Sequence, residues 1–97
     1  MSPFSAYGYV VLARAQFALA EPAPGIAGTL DEYEALLTRT GHHLYEGELH
    51  ELRARLPERE GQQADRAAAL ARAQACYTRF GMTAQAARVT AALGDAA

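Results

Sequence analysis

Three polar residues in the middle of the chain have the types and the spacing that could form one site. His43, Glu46 and His50 stand at positions i, i+3 and i+7, and an α-helix would place them within about 60° of one another. Two neutral imidazoles and a carboxylate are zinc-type ligands. Helices that bind metal usually carry two histidines at i and i+4, however, and i+7 spans two turns. We therefore expect no metal and interpret these side chains as a polar binding face.

The rest of the sequence carries no catalytic motif. The segment 21–28, EPAPGIAG, lacks both the lysine and the preceding strand that a phosphate-binding P-loop needs. No local pattern suggests a Ser/His/Asp set. The lone cysteine, Cys76, excludes an intramolecular disulfide and is predicted to pack as a small hydrophobe. We expect no cofactor and no enzymatic activity.

The composition predicts one all-α domain. The chain has 97 residues, of which 51% are hydrophobic, and alanine, a strong helix former and a poor strand residue, dominates that fraction. A chain of this length suffices for one small core. Apolar periodicity and turn residues predict five helices, joined by short turns as a bundle or a helix-turn-helix solenoid. We expect these helices at about residues 5–20, 30–40, 43–56, 62–80 and 83–93.

Charge and hydropathy limit the classes of partner and the cellular location that we expect for the protein. The formal net charge is −2 with acidic and basic residues interspersed, which gives no electrostatic footprint for nucleic acid. The apolar segment 7–20 is interrupted by Arg14 and is shorter than the roughly 20 residues of a membrane span. No basic region precedes it, as a signal peptide would require. We expect no nucleic acid, no membrane and a cytoplasmic protein.

Helix-end patterns set the predicted boundaries in the first half of the chain. The segment 21–28 contains two prolines and two glycines and is predicted to be a loop. Thr29 followed by Glu32 fits a capping box that would start the second helix. Gly41 is predicted to end this helix in the left-handed conformation, and Pro57 is predicted to end the third.

The third helix is predicted to carry a sharp apolar face. Its members are Tyr45, Leu49, Leu52 and Leu56. Glu51 and Arg55 of the same helix, at i and i+4, are spaced to form an ion pair. The face of His43, Glu46 and His50 points about 140° away from Leu49 and Leu52, so we expect it to be polar and accessible.

The first helix is apolar almost all round, which leaves two interpretations open. One side of it, including some of Tyr9, Val10 and Phe17, forms a surface for a protein partner or a second copy of the chain. Alternatively, the helix is the central one of the bundle and is covered on all sides.

The stretch GTLDEYEALLTRTGHHLYEGELHELRARL resembles a known class of helical repeat. Its specific features are Gly41 and then a helix of the form YExELHxLR, which begins at Tyr45. The pattern is similar to the degenerate tetratricopeptide-type repeats at the C-terminal end of large bacterial signalling proteins. There the repeats follow an ATPase module that is in some cases joined to a class III nucleotide cyclase or a LuxR-type regulator. The resemblance covers about residues 29–93 and includes the tail CYTRFGMTAQAARVTAAL.

This resemblance implies a tetratricopeptide-like fold and a scaffold or regulatory role. The usual Trp, Leu-Gly and Pro signature of such repeats is absent, and so is any ATPase or cyclase motif; the resemblance therefore implies neither activity. We expect a non-enzymatic protein-interaction module within a bacterial signalling or transcription regulator. Its partner would be another protein, a neighbouring domain or, in a homodimer, a second copy. The alternative is a sensor that binds a small ligand or a metal through the face of His43, Glu46 and His50.

Overall fold

The all-α prediction is confirmed by the computed structural model, which describes residues 5–95 and contains five α-helices and no strand within that range. The helices are α1 (Ala6–Ala18), α2 (Ala23–Thr40), α3 (Glu46–Arg59), α4 (Gln63–Arg79) and α5 (Thr83–Asp95), and a short 3-10 turn, His43–Tyr45, precedes α3. Within the described range, no helix is long and apolar enough to cross a membrane.

The helix α3 lies at the centre and separates two apolar cores. One core joins α3 to the pair α1 and α2, and the other joins it to the pair α4 and α5. The first contains Tyr9, Val10, Ala13, Ile26, Leu30, Tyr33, Leu37, Leu49 and Leu52. The second contains Ala54, Ala69, Leu70, Ala73, Tyr77 and Val89. Each core buries several large side chains, at about 1.5–3 kcal/mol apiece, so α3 is held rigidly from both sides.

A glycine in the left-handed conformation follows α2 at Gly41, where the sequence predicts it, and α4 at Gly81. Gly41 closes α2 with φ 71°, and its N–H donates to the carbonyl of Leu37. Gly81, with φ 72°, follows the last turn of α4. Residues with a Cβ rarely adopt this left-handed conformation, so glycine allows the chain to reverse at once into the next helix.

The predicted start of α2 is wrong by about seven residues. The helix begins at Ala23, so most of the segment expected to be a loop is helical. Pro24 lies in the first turn, where its missing N–H costs nothing. Ile26 is fully buried, and its burial extends the helix beyond the two glycines. Thr29 therefore lies inside the helix, where its hydroxyl donates to the carbonyl of Gly25 at 3.2 Å, and it forms no capping box.

The ends of α3 and α5 also differ from the prediction. Pro57 does not end α3, which continues to Arg59. A proline in the last turn removes a single backbone hydrogen bond, and the Pro57 carbonyl itself accepts from the N–H of Gln62 at 2.8 Å. At the other end of the chain, α5 runs through Gly94 to Asp95.

The apolar faces are largely where the sequence places them. Leu49 and Leu52 are buried, and Leu56 packs half-buried against the same core. Tyr45 is the exception, because it precedes α3 in the 3-10 turn and remains 44% exposed.

Candidate binding groove

A line of charged side chains follows α3 on the side that α1 and α5 flank. Its members are Glu48, Glu51, Arg55 and Glu58, at positions i, i+3, i+7 and i+10. This spacing places them within about 80° on one helix face. Arg14 of α1 and Arg88 of α5 face them from the two sides, and Arg14 lines all three clefts along this face. We call this surface the α1/α3/α5 groove.

The groove is basic where α3 ends. A cleft of about 560 Å³ lies there between α1 and α3. Phe17 is half-buried in its wall, and the guanidinium of Arg55 lies over the Phe17 ring, 5.2 Å from its centre. Arg59 donates to the backbone carbonyl of Glu21 at 3.0 Å. The stacking fixes Arg55 in place while it leaves the side chain exposed.

Ion pairs organise the middle of the groove, a cleft of about 410 Å³. The carboxylate of Glu51 accepts a hydrogen bond from the Tyr77 hydroxyl and another from Arg88, both at 2.5 Å. Across the groove, Arg14 lies 3.8 Å from the carboxylate of Glu48. Burial is the main cause that raises the pKa of the Tyr77 hydroxyl, and the hydrogen bond to Glu51 and the charge of Glu51 raise it further. Tyr77 therefore remains a neutral donor that fixes Glu51.

The groove has an apolar side where α3 begins. A cleft of about 390 Å³ is lined there by Leu44, Tyr45 and Met82, next to Tyr77, and on its other side by the polar residues Arg14, Glu48, Gln85 and Arg88. Leu44 is 57% exposed and Tyr45 is 44% exposed, and these are large fractions for apolar side chains that line a cleft. The hydroxyl of Tyr33 lies 3.5 Å from the Tyr45 carbonyl. This contact ties the 3-10 turn to α2.

The histidine face predicted from the sequence lies elsewhere and is not assembled into one site. His43 and Glu46 do meet, with 2.6 Å between Nδ1 and Oε1. His50, however, is half-buried on the opposite side of α3 from the groove, near Glu34 of α2 and Arg72 of α4. Burial lowers its pKa, and its Nδ1 is buried with no hydrogen-bond partner among residues 5–95. The expectation of an accessible face or groove at all three residues is therefore wrong for His50.

The described residues contain no group of three or more His, Cys, Asp or Glu side chains placed to hold a metal ion. The thiol of Cys76 lies 4.0 Å from the carboxylate of Glu46, and burial raises the pKa of this thiol. A thiol held in its protonated form is a weak metal ligand and a weak nucleophile.

The two residues of α1 that were predicted to bind a partner, Tyr9 and Phe17, lie in different surroundings in the structure. Tyr9 is buried, and its ring stacks on Tyr33 with 6.1 Å between ring centres. Together with Val10 it therefore belongs to the core, and the expectation of an outer face at these two residues is wrong. Phe17 lines the groove. The large apolar side chains that are exposed on α1 and the turn after it are Tyr7, Val11 and Leu19.

Sequence reasoning missed the charged line on α3, although its spacing was visible. The predicted ion pair of Glu51 and Arg55 is wrong because Glu51 pairs with Arg88 and Tyr77, whereas Arg55 stacks on Phe17. A helix has two polar sides when its apolar residues face two cores. Which side becomes a groove depends on where α1 and α5 pack, and no local pattern gives that.

Comparisons of the chain with protein-family models, with curated proteins and with solved structures found no match. The resemblance to tetratricopeptide-type repeats therefore stays a prediction that rests on the motif between residues 29 and 93.

Proposed function

We propose that the chain is a non-enzymatic protein-interaction module of tetratricopeptide type, and that it works within a bacterial signalling or transcription regulator in the cytoplasm. The observation that supports a binding role is the α1/α3/α5 groove, which combines accessible apolar and charged side chains along one helix. The family and the regulatory setting rest on the sequence motif at Tyr45–Arg53. The lone cysteine fits the reducing cytoplasm.

The groove side chains are held in place before any partner arrives. Glu51 is fixed by Tyr77 and Arg88, and Arg55 is fixed by Phe17. A side chain that is already ordered loses little conformational entropy when it binds, which improves affinity for a given contact area. The partner would be a segment of another protein, a neighbouring domain of the same regulator or a second copy of the chain.

The experiment that tests this function is selection from a random peptide library displayed on phage. The wild-type chain is compared with a groove variant that carries Arg14→Glu and Arg55→Glu, because both arginines are exposed in the groove. The matched control carries Arg39→Glu and Arg79→Glu, which make the same change of charge at exposed arginines outside the groove. We expect peptides that bind the wild type and the control and lose binding to the groove variant.

Two results would contradict the function. In the first, selection enriches no peptide for the wild-type chain. In the second, the enriched peptides bind the groove variant as tightly as they bind the control. Circular dichroism of both variants checks that each keeps the helical fold, so that a loss of binding is assigned to the groove.

A further inference from the structure

We infer that the groove takes a polarised segment of a partner protein, with an apolar side chain at its Tyr45 end and carboxylates at its Arg55 end. This inference rests on the proposed function and adds the chemistry and the direction of the occupant. Four observations carry it: a free arginine, the charge balance of the groove, the apolar opposite end and the distance between the two ends.

Two groove arginines form no ion pair with a carboxylate of the described residues: Arg59, which donates to the backbone carbonyl of Glu21, and Arg55. The three groove glutamates are engaged, Glu48 by Arg14, Glu51 by Arg88 and Glu58 by Arg66. Arg55 contacts Phe17 through its guanidinium face, and within the described residues no carboxylate forms an ion pair with it. Stacking occupies the face of the guanidinium and leaves the N–H groups at its edge free to donate. These are the groups that bind a carboxylate in a bidentate pair.

The charge of the groove differs in sign from that of the whole chain. Arginines and glutamates line the three clefts at Arg14, Arg55, Arg59, Arg66, Arg88, Glu48, Glu51 and Glu58. These are five of the nine basic residues and three of the eleven acidic residues in a chain of net charge −2. An excess of positive charge in a concave surface attracts and orients an acidic partner.

The other end of the groove favours an apolar side chain. Leu44 and Tyr45 are exposed there beside the half-buried Met82. A partner residue that covers them removes apolar surface from water and would act as the anchor of the complex. The charged side chains that line this end are paired, Arg14 with Glu48 and Arg88 with Glu51, whereas Arg55 at the other end has no carboxylate partner among the described residues. The two ends are therefore chemically distinct.

The distance between Tyr45 and Arg55 fixes the length of the segment. The two residues are ten positions apart, which separates them by roughly 15 Å along the helix. An extended segment of about four or five residues covers that distance, and so does a helix of about three turns. The apolar residue and the carboxylates of the partner should therefore be separated by roughly one such span.

The interleaved glutamates favour an acidic peptide over a nucleic acid. A phosphate backbone places a negative charge at every nucleotide and would meet Glu48, Glu51 and Glu58 along the groove. Like charges brought together in this way cost binding energy. A peptide can place its carboxylates at the Arg55 end alone and avoid the glutamates in the middle.

The test uses the composition of the peptides recovered by the groove-dependent selection and their affinities for single variants. Each recovered peptide is labelled with fluorescein and titrated with the full chain by fluorescence anisotropy. We expect acidic residues at one end of the peptides and a large apolar residue at the other. Arg55→Glu should weaken binding by roughly tenfold or more, since a charge-assisted pair contributes about this much. High salt should weaken binding of the wild type as well.

Two matched controls separate the groove from the general surface. Arg79→Glu reverses another exposed arginine that stacks on a phenylalanine, Phe80, at 5.4 Å. For the apolar end, Tyr45→Ser should weaken binding several-fold, whereas Tyr7→Ser alters a tyrosine that is 74% exposed and lies outside the groove. Neither control should change the affinity by more than about twofold.

The outcomes distinguish this inference from the function on which it rests. Groove-dependent peptides that are neutral or basic, or that bind Arg55→Glu as tightly as the wild type, would overturn the inference and leave the groove as a binding site. Acidic peptides without an apolar end that are insensitive to Tyr45→Ser would also overturn the polarised segment. A selection without groove-dependent peptides would overturn both.

Discussion

The ring of Tyr77 lies against the backbone of α3 at Gly47, so closely that a Cβ added to Gly47 would come within 2.6 Å of the Tyr77 ring. The ring is 3% exposed and its hydroxyl is held by Glu51, so it cannot swing away. This close approach is the contact that lets α4 pack directly on α3.

We therefore predict that Gly47→Ala destabilises the fold. Overpacking costs about 1–3 kcal/mol, which outweighs the gain of up to about 1 kcal/mol from the higher helix propensity of alanine. The matched control is Gly28→Ala in α2, where an added Cβ meets no atom of the described part of the chain within 4 Å and should stabilise by about 0.4–1 kcal/mol. Chemical denaturation of both variants measures the difference. Equal free energies of unfolding would contradict the close contact.

Tyr77→Phe should also destabilise the fold, because it deletes the hydrogen bond to Glu51 while it keeps the ring in the core. A hydrogen bond to a charged group contributes about 1.5–3 kcal/mol. Tyr45→Phe is the control, since Tyr45 is 44% exposed, and it should change the free energy of unfolding by less than about 0.5 kcal/mol. If both variants unfold at the same denaturant concentration as the wild type, the hydroxyl does not fix Glu51.

Leu49→Ala tests the assignment of the apolar face of α3. Leu49 is 1% exposed in the core shared with α1 and α2, and its truncation leaves a cavity that should cost about 2–5 kcal/mol. The same change at Leu44, which is 57% exposed, should cost less than about 0.5 kcal/mol. Thermal unfolding followed by circular dichroism gives the Tm of both variants. A larger fall in Tm for Leu44→Ala than for Leu49→Ala would mean that the buried face of α3 is assigned wrongly.

His50 should make the fold sensitive to mild acid. Burial lowers its pKa below the ordinary value, so the unfolded chain takes up its proton first as the pH falls below about 6.5. The neutral histidine then contributes stability that is complete above this pH and is lost as the pH falls towards the pKa of the folded state. The charged groups around it are Glu34 of α2, Arg53 and Glu46 of α3, and Arg72 of α4.

The measurement is the free energy of unfolding from about pH 7 to pH 5 for the wild type and for His50→Gln, whose side chain is neutral throughout. We expect the wild type to lose more stability than the variant over this range. Both proteins contain the same carboxylates, so the difference between their losses reports the titration of His50 alone. The exposed His42 supplies the control, His42→Gln. Identical slopes for the wild type and His50→Gln would contradict the burial of His50.

Local patterns predicted the helices well where the hydrophobic period and the end residues agree. The glycine at position 41 and the pair Leu49 and Leu52 behave as expected, because their roles depend on the backbone conformation and the helical period. The start of α2 could not be read in this way. Proline and glycine in segment 21–28 favour a turn, but the burial of Ile26 against α1 and α3 outweighs that preference.

The groove was harder to predict than the helices, because it depends on packing between distant elements. The sequence presents two polar sides of α3, one with His50 and one with Glu51 and Arg55. Only the positions of α1 and α5 decide which side is enclosed by arginines. Phe17 was predicted as part of a partner surface, but its position beneath Arg55 depends on the packing of α1 beside the end of α3.

The central claim is that partners bind in the α1/α3/α5 groove. It is tested most directly by a nitrogen–proton correlation NMR titration of the isotopically labelled chain with a peptide recovered in the groove-dependent selection. We predict that the largest chemical-shift changes fall at the backbone amides of Arg14, Tyr45, Glu51, Arg55 and Arg88, which line the groove. Changes concentrated around His50 and Arg53, on the opposite side of α3, would contradict the claim.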